Sequence, residues 1–131
     1  MLDVINTRKL QKQPLLAVIS ANGVLDEGPR DYPLPLTPLY RWMLCGIYDD
    51  KRRMEDILRQ AKLKSGYVVV RPSVLSNGPS QGIGSIRQGT TEEPSVGYGI
   101  SRDDVGLWMF QKIIEASSRD DLKNKGITIT C

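Results

Sequence analysis

The sequence predicts an α/β fold in which helices pack on a mostly parallel sheet. Three apolar runs rich in β-branched residues, at 15–20, 67–72 and 126–131, are typical of strands. Segments with helical character lie between them. Strands that alternate with helices form βαβ units, whose strands run parallel. Because 131 residues suit one small domain, we expect residues 1–131 to form a single domain.

The N-terminal third predicts the first helix, strand and loop. Residues 2–12 predict a short polar helix that ends at Pro14. "LLAVIS", residues 15–20, is a continuous apolar run, which predicts a strand buried on both faces. Residues 21–38 hold Asn-Gly, Gly-Pro and four prolines, and therefore predict a long surface loop. A loop of this length is either functional or a variable insertion.

The middle of the chain predicts a second helix and a second strand. Asp49 and Asp50 suit the first turn of a helix, where the helix dipole favours negative charge. Apolar residues at helical spacing then mark one face of this helix: Met54, Ile57, Leu58 and Ala61. Ser65-Gly66 ends the helical segment. "YVVVRP", residues 67–72, predicts a second buried strand.

The last third predicts a second long loop, a helix and a third strand. Residues 73–100 contain glycines and prolines without a clear period, which indicates a loop. Ser101 followed by Asp104 matches a capping box and opens an apolar helix. "GITITC", residues 126–131, alternates as a strand does. Both long loops directly follow a strand, so we expect them at the carboxyl edge of the sheet, where open α/β sheets bind ligands.

Composition excludes several classes of function. The net charge is +3, but acids are interleaved with the bases, so no nucleic-acid-binding stripe is indicated. Without histidine, neither a Ser-His nor a Cys-His nucleophile is available, and the two cysteines, Cys45 and Cys131, make a metal site improbable. No apolar run is long enough to cross a membrane, and the N-terminus lacks a signal-peptide pattern. We therefore expect a cytoplasmic protein that binds neither nucleic acid nor membrane.

Two groups of residues are candidates for acid–base chemistry. Ser20 ends the first strand, although a serine at this position is more often a turn or cap residue than a catalytic one. Tyr48 and Lys51 are three residues apart, so one helical face can carry both. A lysine beside a phenol favours the phenolate and gives a usable proton donor and acceptor. The alternative is a solvated first turn in which Lys51 pairs with a nearby acid.

The end of the second strand is a candidate binding segment. Pro72 has no N–H and cannot extend a central ladder, so the strand must end there. The backbone beyond it, Ser73, Val74 and Leu75, is then left unpaired at the ligand edge, where it can grip a flat polar ring such as a carboxamide. The alternative is a plain strand terminator with Arg71 extending to solvent.

These segments together resemble a known family. The spacing of Lys51, Glu55 and Leu58, followed by Ser65-Gly66 and "YVVVRP", resembles an atypical short-chain dehydrogenase/reductase. The "ISRDDV" helix start resembles the same family independently. The branch it resembles is the NAD(P)H-binding, NmrA-like group that includes the biliverdin-IXβ (flavin) reductases. The resemblance covers about residues 14–131 and corresponds to the C-terminal half of that domain.

The resemblance implies a partial Rossmann-like fold and a redox function. It implies hydride transfer from NADPH or NADH to a small conjugated acceptor such as a flavin, with Ser20, Lys51 and Tyr48 near the acceptor. It also implies that the segment after the second strand contacts the nicotinamide, and the cofactor-binding candidates are Arg71, Pro72, Ser73, Val74 and Leu75. Two departures stand out: the family spaces its tyrosine and lysine four apart, which here reaches Arg52, and its glycine-rich half is missing.

The missing half has two consequences. No G-x-G-x-x-G fingerprint occurs in the chain, so cofactor binding is expected to be weak or lost. A half-sheet also leaves a strand edge uncovered, which invites a homo-oligomer or a partner chain. Two functions therefore stay open: a reductase that binds NAD(P)H and a small-molecule substrate, and a non-catalytic truncated relative that acts as a binding or interaction module.

Overall fold

The structure is a computed structural model that describes residues 14–25, 28–38, 42, 45–115 and 119–131. The strands are β1 (Leu16–Ile19), β2 (Tyr67–Pro72), β3 (Val74–Ser76), β4 (Arg87–Gly89), β5 (Gly99–Ser101) and β6 (Lys125–Thr130). The helices are α1 (Cys45–Gln60) and α2 (Arg102–Met109), which continues as a π-helix over Phe110–Glu115. Short 3₁₀ turns occur at Leu34–Leu36, Ile83–Ser85 and Arg119–Leu122. The helix expected over 2–12 lies outside the described residues.

The main sheet has four strands in the order β1-β2-β6-β4. The pairs β1·β2 and β2·β6 are parallel, and β4 adds an antiparallel edge. A second, two-stranded parallel sheet joins β3 to β5. The expected α/β class with a mostly parallel sheet is therefore confirmed, and the three strands expected from the sequence are β1, β2 and β6.

The two faces of the main sheet differ in chemistry. One face is apolar: Val68, Val70, Ile127 and Ile129 pack against Trp108 of α2 in the main hydrophobic cluster. We call this the apolar face. The opposite face carries buried polar side chains at the alternating positions: Arg71, Ser73, Thr128 and Thr130. We call this the polar face, and α1 covers it through a contact between Glu55 and Arg71.

The ends of the two helices follow from local sequence. Ser101 caps α2, because its Oγ accepts a hydrogen bond of 3.0 Å from the Asp104 amide, so the expected cap is confirmed. After α1 the chain turns through Lys62 and Gly66, which have φ of 42° and 78°. A Cβ on Gly66 would lie 3.0 Å from Asn124 Oδ1, so glycine allows this close turn.

Three expectations from the sequence are wrong in detail. β1 is not buried on both faces: its residues are half-buried, and Ile19 is 45% exposed, because β1 pairs only with β2 within the described residues. Helix α1 begins at Cys45, so Asp49 and Asp50 lie beyond its first turn. The 21–38 segment is not wholly a surface loop, since Val24 is fully buried.

The segment 73–100 is not a plain loop either. It contains β3, β4, β5 and a 3₁₀ turn. Each of these strands has only three residues, too few for a two-residue period to stand out in the sequence. Their pairing partners, β5 for β3 and β6 for β4, lie far along the chain, so tertiary contacts decide their conformation.

No helix in the described part of the chain is long and apolar enough to cross a membrane.

Candidate active site

The carboxyl ends of β1 and β2 form the first part of the candidate site. The parallel ladder continues beyond β1: the Ser20 amide donates to the Val70 carbonyl at 2.7 Å, and the Asn22 amide donates to the Pro72 carbonyl at 3.0 Å. Ser20 and Asn22 therefore stand beside the end of β2, on the same face as Arg71. Backbone pairing fixes both residues at this edge.

Ser20 and Asn22 carry buried polar atoms without a partner. Ser20 Oγ and Asn22 Oδ1 make no hydrogen bond within the described residues, and their residues are 3% and 1% exposed. The Asn22 amide nitrogen is used, because Nδ2 donates to the Asp31 carbonyl at 2.7 Å. An unpaired buried polar atom costs roughly 1–3 kcal/mol, so such atoms in a native fold call for an explanation. Hydrogen bonds to a ligand are one such explanation.

The segment that follows Asn22 is held by Asp31. Asp31 Oδ1 accepts a hydrogen bond of 2.8 Å from the Gly23 amide. Burial raises the pKa of Asp31, while the hydrogen bond from Gly23 opposes that rise. Arg52 adds a second anchor, since its Nε donates to the Val24 carbonyl at 2.9 Å. Asp31 therefore holds Asn22 and Gly23 through its backbone carbonyl and its carboxyl group.

Tyr48 and Lys51 do not share one environment. Tyr48 is 6% exposed and packs in a small apolar cluster with Val24. Lys51 is half-buried, and its Nζ lies 3.5 Å from the carbonyl oxygen of Ile19. Because the Ser20 amide points to β2, the alternate Ile19 carbonyl points to the free edge of β1. Lys51 therefore caps the edge of the sheet, and the expected pairing of Lys51 with an acid is absent from the described ion pairs.

The segment after β2 is paired, contrary to expectation. β2 does end at Pro72, but the Ser73 amide donates to the Ile129 carbonyl at 3.0 Å, and Val74–Ser76 forms the parallel ladder with β5. The prediction of unpaired backbone over Ser73–Leu75 is therefore wrong. The side chains of Val74 and Leu75 are 46% and 36% exposed, so this segment presents apolar surface instead.

Arg71 neither extends to solvent nor reaches this edge. Its Nη2 lies 2.7 Å from Glu55 Oε2 in an ion pair in which both side chains are at most 3% exposed. Its Nε donates to Glu55 Oε1 at 3.1 Å, which makes the pair bidentate. The alternative in which Arg71 extends to solvent is therefore wrong, and the Arg71 side chain lies against Glu55, whereas the chain continues through Pro72 and Ser73 to the exposed Val74 and Leu75.

A second aspartate fixes the loop beside β3. Asp104 Oδ1 accepts a hydrogen bond of 2.5 Å from Ser80 Oγ, and its two carboxylate oxygens accept from the Gln81 and Gly82 amides. Ser101 Oγ donates to Oδ2 at 2.7 Å. Burial acts to raise the pKa of Asp104, but these hydrogen bonds outweigh it and lower the pKa to about 2. The capping aspartate of α2 is therefore also an anchor for residues 80–82.

Sequence reasoning missed Asn22, Asp31 and Asp104 as parts of this site. In the sequence, Asn22-Gly23 indicated only a turn. Asp104 was visible as a capping residue, and its contacts with Ser80 span 24 positions. In the described part of the chain, no group of three or more His, Cys, Asp or Glu is arranged to hold a metal ion.

Comparison with a protein-family model assigns this chain to a family. Residues 3–115 match the NAD(P)H-binding family model. The chain therefore belongs to the NAD(P)H-binding family.

Particular relatives and neighbours sharpen this assignment. The chain is 39% identical over 129 residues to a protein named "Reductase pytE" from Aspergillus terreus, covering 91% of this chain and 49% of the relative. It is 33% identical over 132 residues to "Oxidase pynE" from Aspergillus niger, covering 93% of this chain and 47% of the relative. The chain thus spans about half the length of the curated relatives it matches.

Solved structures with the same fold are also dehydrogenase-like. A short-chain dehydrogenase/reductase from Veillonella parvula, in complex with NADP, superposes with a TM-score of 0.69 at 18% identity, covering 88% of this chain and 49% of that one. A putative NAD-dependent epimerase/dehydratase from Bacillus halodurans has a TM-score of 0.62 at 21% identity, covering 86% of this chain and 44% of that one. At these identities the comparison shows a Rossmann-like fold.

The residues present fit part of a nicotinamide cofactor. The unpaired oxygens of Ser20 and Asn22 suit a ligand that carries amide or hydroxyl groups. The sequence contains no glycine-rich turn of the G-x-G-x-x-G type, the turn that holds the pyrophosphate in Rossmann folds.

Proposed function

We propose that this chain forms the nicotinamide-binding and acceptor-binding half of an NAD(P)H-dependent reductase. The observation that supports this proposal most is a pair of buried oxygens without a partner in the described residues, Ser20 Oγ and Asn22 Oδ1. They lie at the carboxyl edge of the sheet in a chain of the NAD(P)H-binding family. NADPH or NADH supplies a hydride when bound. Ser20 and Asn22 would supply hydrogen bonds that orient the ring.

The exposed surface next to this edge supports a flat, conjugated acceptor. Val74 and Leu75 expose apolar side chains on β3, and Tyr98, which is 64% exposed, immediately precedes the strand paired with β3. Apolar and aromatic surface suits a stacked ring. We therefore propose a flavin-like acceptor, as in the biliverdin-IXβ (flavin) reductase branch that the sequence resembles.

The roles of the remaining candidates follow from their positions. Lys51 would act at the β1 edge rather than on Ser20, since its Nζ approaches the Ile19 carbonyl. Tyr48 would support the segment above the site from within its apolar cluster. Pro72 and Ser73 would shape the site through the backbone. Chemistry here depends mainly on holding two rings together, which does not require a Tyr-Lys pair.

Access to the two oxygens depends on Asn22 and Gly23. Neither oxygen is exposed to solvent, and Asp31 is hydrogen-bonded to both Asn22 and Gly23. We propose that Asn22 and Gly23 shift when the ring binds, exchanging these contacts for hydrogen bonds to the ligand.

We also propose an occupant for the edge of β1 that has no partner strand within the described residues: the glycine-rich, pyrophosphate-binding half of an NAD(P)-binding domain. An open groove of about 420 Å³ lies between β1 and α1 and is lined mainly by apolar side chains, among them Leu16, Val18, Met54 and Ile57. Relatives about twice as long as this chain carry the same fold region in one polypeptide. A free strand edge beside an apolar groove is the surface that such a half would cover.

The alternative is a non-catalytic binding or interaction module. The missing glycine-rich turn and the free β1 edge favour it, because both are explained without any cofactor. The two functions differ in whether the nicotinamide part of the cofactor binds to this chain.

Titration with NADPH and with reduced nicotinamide mononucleotide tests the proposed function. We expect saturable quenching of tryptophan fluorescence by both, with dissociation constants below the millimolar range. The two constants should agree within about tenfold, because this chain contacts only the part that both ligands share. Absence of binding by both ligands overturns the reductase proposal and leaves the interaction module.

A matched pair of variants locates the site. Ser20→Ala should weaken binding about three- to tenfold, the value of one neutral hydrogen bond. Thr90→Val removes a hydroxyl at the opposite edge of the sheet and should leave binding unchanged. Equal effects of the two substitutions would place the nicotinamide elsewhere. NADPH oxidation in the presence of FMN then tests the acceptor.

Reconstitution tests the partner. The part of the Aspergillus terreus reductase that this chain does not match is added as a separate polypeptide, and NADPH binding is measured. We expect at least tenfold tighter binding, and we expect Ile57→Glu, but not Ile114→Glu, to abolish that gain. Ile57 lines the groove and is 55% exposed, whereas Ile114 is 67% exposed and lies on the other helix. A dimer of the chain alone that Ile57→Glu dissociates would show that a second copy occupies the groove.

A further inference from the structure

A second cavity lies at the other edge of the sheet. It measures about 220 Å³ and opens where β2 and β6 begin, beside Tyr67 and Lys125. Glu55 and Arg71 lie on its inner side, and Arg59 lines it from α1. Ser20 and Ser73, which follow the carboxyl ends of the strands, do not line it. The cavity is therefore separate from the candidate active site.

Arg71 lies in the inner wall of this cavity, and some of its N–H donors have no acceptor in the described contacts. Arg71 is 2% exposed and has five N–H donors. Two go to Glu55, and Nη1 donates to Thr91 Oγ1 at 3.0 Å. In the described contacts one N–H on each terminal nitrogen has no acceptor. A planar pair of such donors matches the two oxygens of a carboxylate or phosphate.

The strand beneath the guanidinium is shaped to fit it. A Cβ on Gly126 would lie 2.5 Å from Arg71 Nη1, so only glycine lets the guanidinium lie against β6. Thr91 closes one side, since its Oγ1 also lies 3.4 Å from the Gly126 carbonyl. The position of Arg71 is thus fixed by backbone as well as by Glu55.

The charges around the cavity favour an anion. Arg59, Arg71 and Lys125 contribute three positive charges, and Glu55 and Glu92 contribute two negative ones. The Glu55 carboxylate is already engaged by two of the bases, since Arg59 Nη2 lies 3.4 Å from Glu55 Oε2. Lys125 lies exposed at the rim. Hydrogen bonds from the Glu92 amide and from Thr90 lower the pKa of Glu92 most, and the Lys125 charge adds to that effect.

We propose that this cavity is a binding site for a small oxyanion, the phosphate or carboxylate group of a metabolite. The spare donors of Arg71 would bind two of its oxygens from the inner side, and Arg59 and Lys125 would approach it from the rim. The Asn124 amide nitrogen and the Tyr67 hydroxyl add neutral donors to the same wall. A volume of about 220 Å³ holds an anion of a few heavy atoms with its water, and excludes a whole dinucleotide.

NMR titration of the chain with inorganic phosphate and, separately, with malonate tests this site. Potassium chloride holds the ionic strength constant, so that the screening of charges is the same at every point of the titration. We expect the backbone amide signals of Thr91, Asn124 and Gly126 to shift along a saturable curve with at least one of the two anions. The amide signal of Ser20 should not move. The anion that binds identifies the group as phosphate or carboxylate.

Variants at the rim change the affinity in opposite directions. Arg59→Gln combined with Lys125→Gln should weaken binding at least tenfold, because two charge-assisted contacts are lost. Glu92→Gln should tighten binding a few-fold, because it removes a like charge. Lys64→Gln combined with Lys112→Gln removes the same net charge away from the cavity and serves as the matched control; it should have no effect beyond screening.

Three results would overturn the site. One is the absence of saturable shifts with both anions, and another is equal weakening by the rim pair and by the control pair. The third is saturable binding whose shifts centre on residues outside the cavity. Since Arg59 and Lys125 are exposed, these substitutions leave the fold intact, and an unchanged urea midpoint verifies that each variant is folded.

Discussion

The apolar face and the polar face of the main sheet are both buried, yet they are stabilised in different ways. On the apolar face, Val70, Ile129 and the Trp108 ring exclude water by packing, and only the Trp108 Nε1–H of these three side chains is paired, with Gln88 Oε1 at 3.0 Å. On the polar face, Arg71 is held by Glu55, and Ser73 Oγ donates to Thr130 Oγ1 at 2.9 Å. These groups depend on hydrogen bonds to particular partners. Loss of a partner on the polar face leaves an unsatisfied group, whereas loss of a methyl group on the apolar face leaves a small void.

The buried polar groups proposed to bind ligands lie on one of these two faces. The polar face ends in the unpaired oxygens of Ser20 and Asn22 at one edge and in the spare donors of Arg71 at the other. Both proposed binding sites therefore lie on the polar face, and the apolar face supports them. Four stability measurements test this division, from the largest expected effect to the smallest.

Breaking the Glu55–Arg71 pair should have the largest effect. Glu55→Gln should lower the free energy of unfolding by about 3–5 kcal/mol, because the buried Arg71 charge loses its partner. Arg71→Met should cost less, because Glu55 keeps its contact with Arg59. The combined variant Glu55→Leu/Arg71→Met should lie closer to the wild type than Glu55→Gln. Urea unfolding of the three variants gives the coupling energy, and additive losses would contradict the buried pair.

Truncation in the apolar face comes next. Ile129 is fully buried, so Ile129→Ala should cost about 2–5 kcal/mol, through lost burial and a cavity. Ile129→Val should cost about 0.5–1.5 kcal/mol, and this graded response is the sign of packing. Ile114→Ala, at a position 67% exposed, is the control and should be nearly neutral. An Ile129→Val variant as damaging as Ile129→Ala would show that shape, not volume, dominates this face.

The third measurement uses the pH dependence that Asp104 produces. Its pKa in the folded protein is about 2, below the ordinary value of 3.8, so Asp104 stabilises the fold fully above about pH 4. This contribution, about 2 kcal/mol at 1.36 kcal/mol per pKa unit, is lost as the pH falls through about 2. The difference in urea midpoint between wild type and Asp104→Asn should shrink over that window. A constant difference from pH 5 to about 2 would contradict the role of the charge.

Asp31 should produce the smallest effect, with the opposite sign. Because burial raises its pKa, the charged form opposes folding at neutral pH, and this cost is relieved as the pH falls through the raised pKa. Asp31→Asn keeps an oxygen for the Gly23 amide and should therefore be neutral or slightly stabilising at neutral pH. That advantage should disappear in acid. Destabilisation at every pH would show that Asp31 is needed as a charged partner.

The longer elements could be predicted from the sequence because their signals are local. The β-branched run in β2, the apolar spacing of α1 and the Ser101 cap each act within a few residues. The short strands β3, β4 and β5 were missed because three residues carry no period, and partners distant in sequence select their conformation.

The candidate site was predicted less well than the fold. The position of Ser20 at a strand end was correct, since parallel strands bring their carboxyl ends to one edge. No local pattern indicated that Tyr48 is packed in an apolar cluster or that Lys51 caps the β1 edge. The sequence also did not show which way the Arg71 side chain points. A residue before a proline at a strand end can lie on either face of the sheet, and only the register of the strand decides which.

The sequence by itself determined the class of this protein: the alternation of strands and helices, the capped α2, the strand end at Pro72 and membership of the NAD(P)H-binding family. Those properties depend on local preferences and on spacing along the chain. Only the tertiary structure decided which polar groups meet. Glu55 and Arg71 are 16 residues apart, and Asp104 and Ser80 are 24 apart. Such contacts arise because the register of the parallel sheet and the packing of α1 and α2 bring distant segments together, and no local pattern encodes that register.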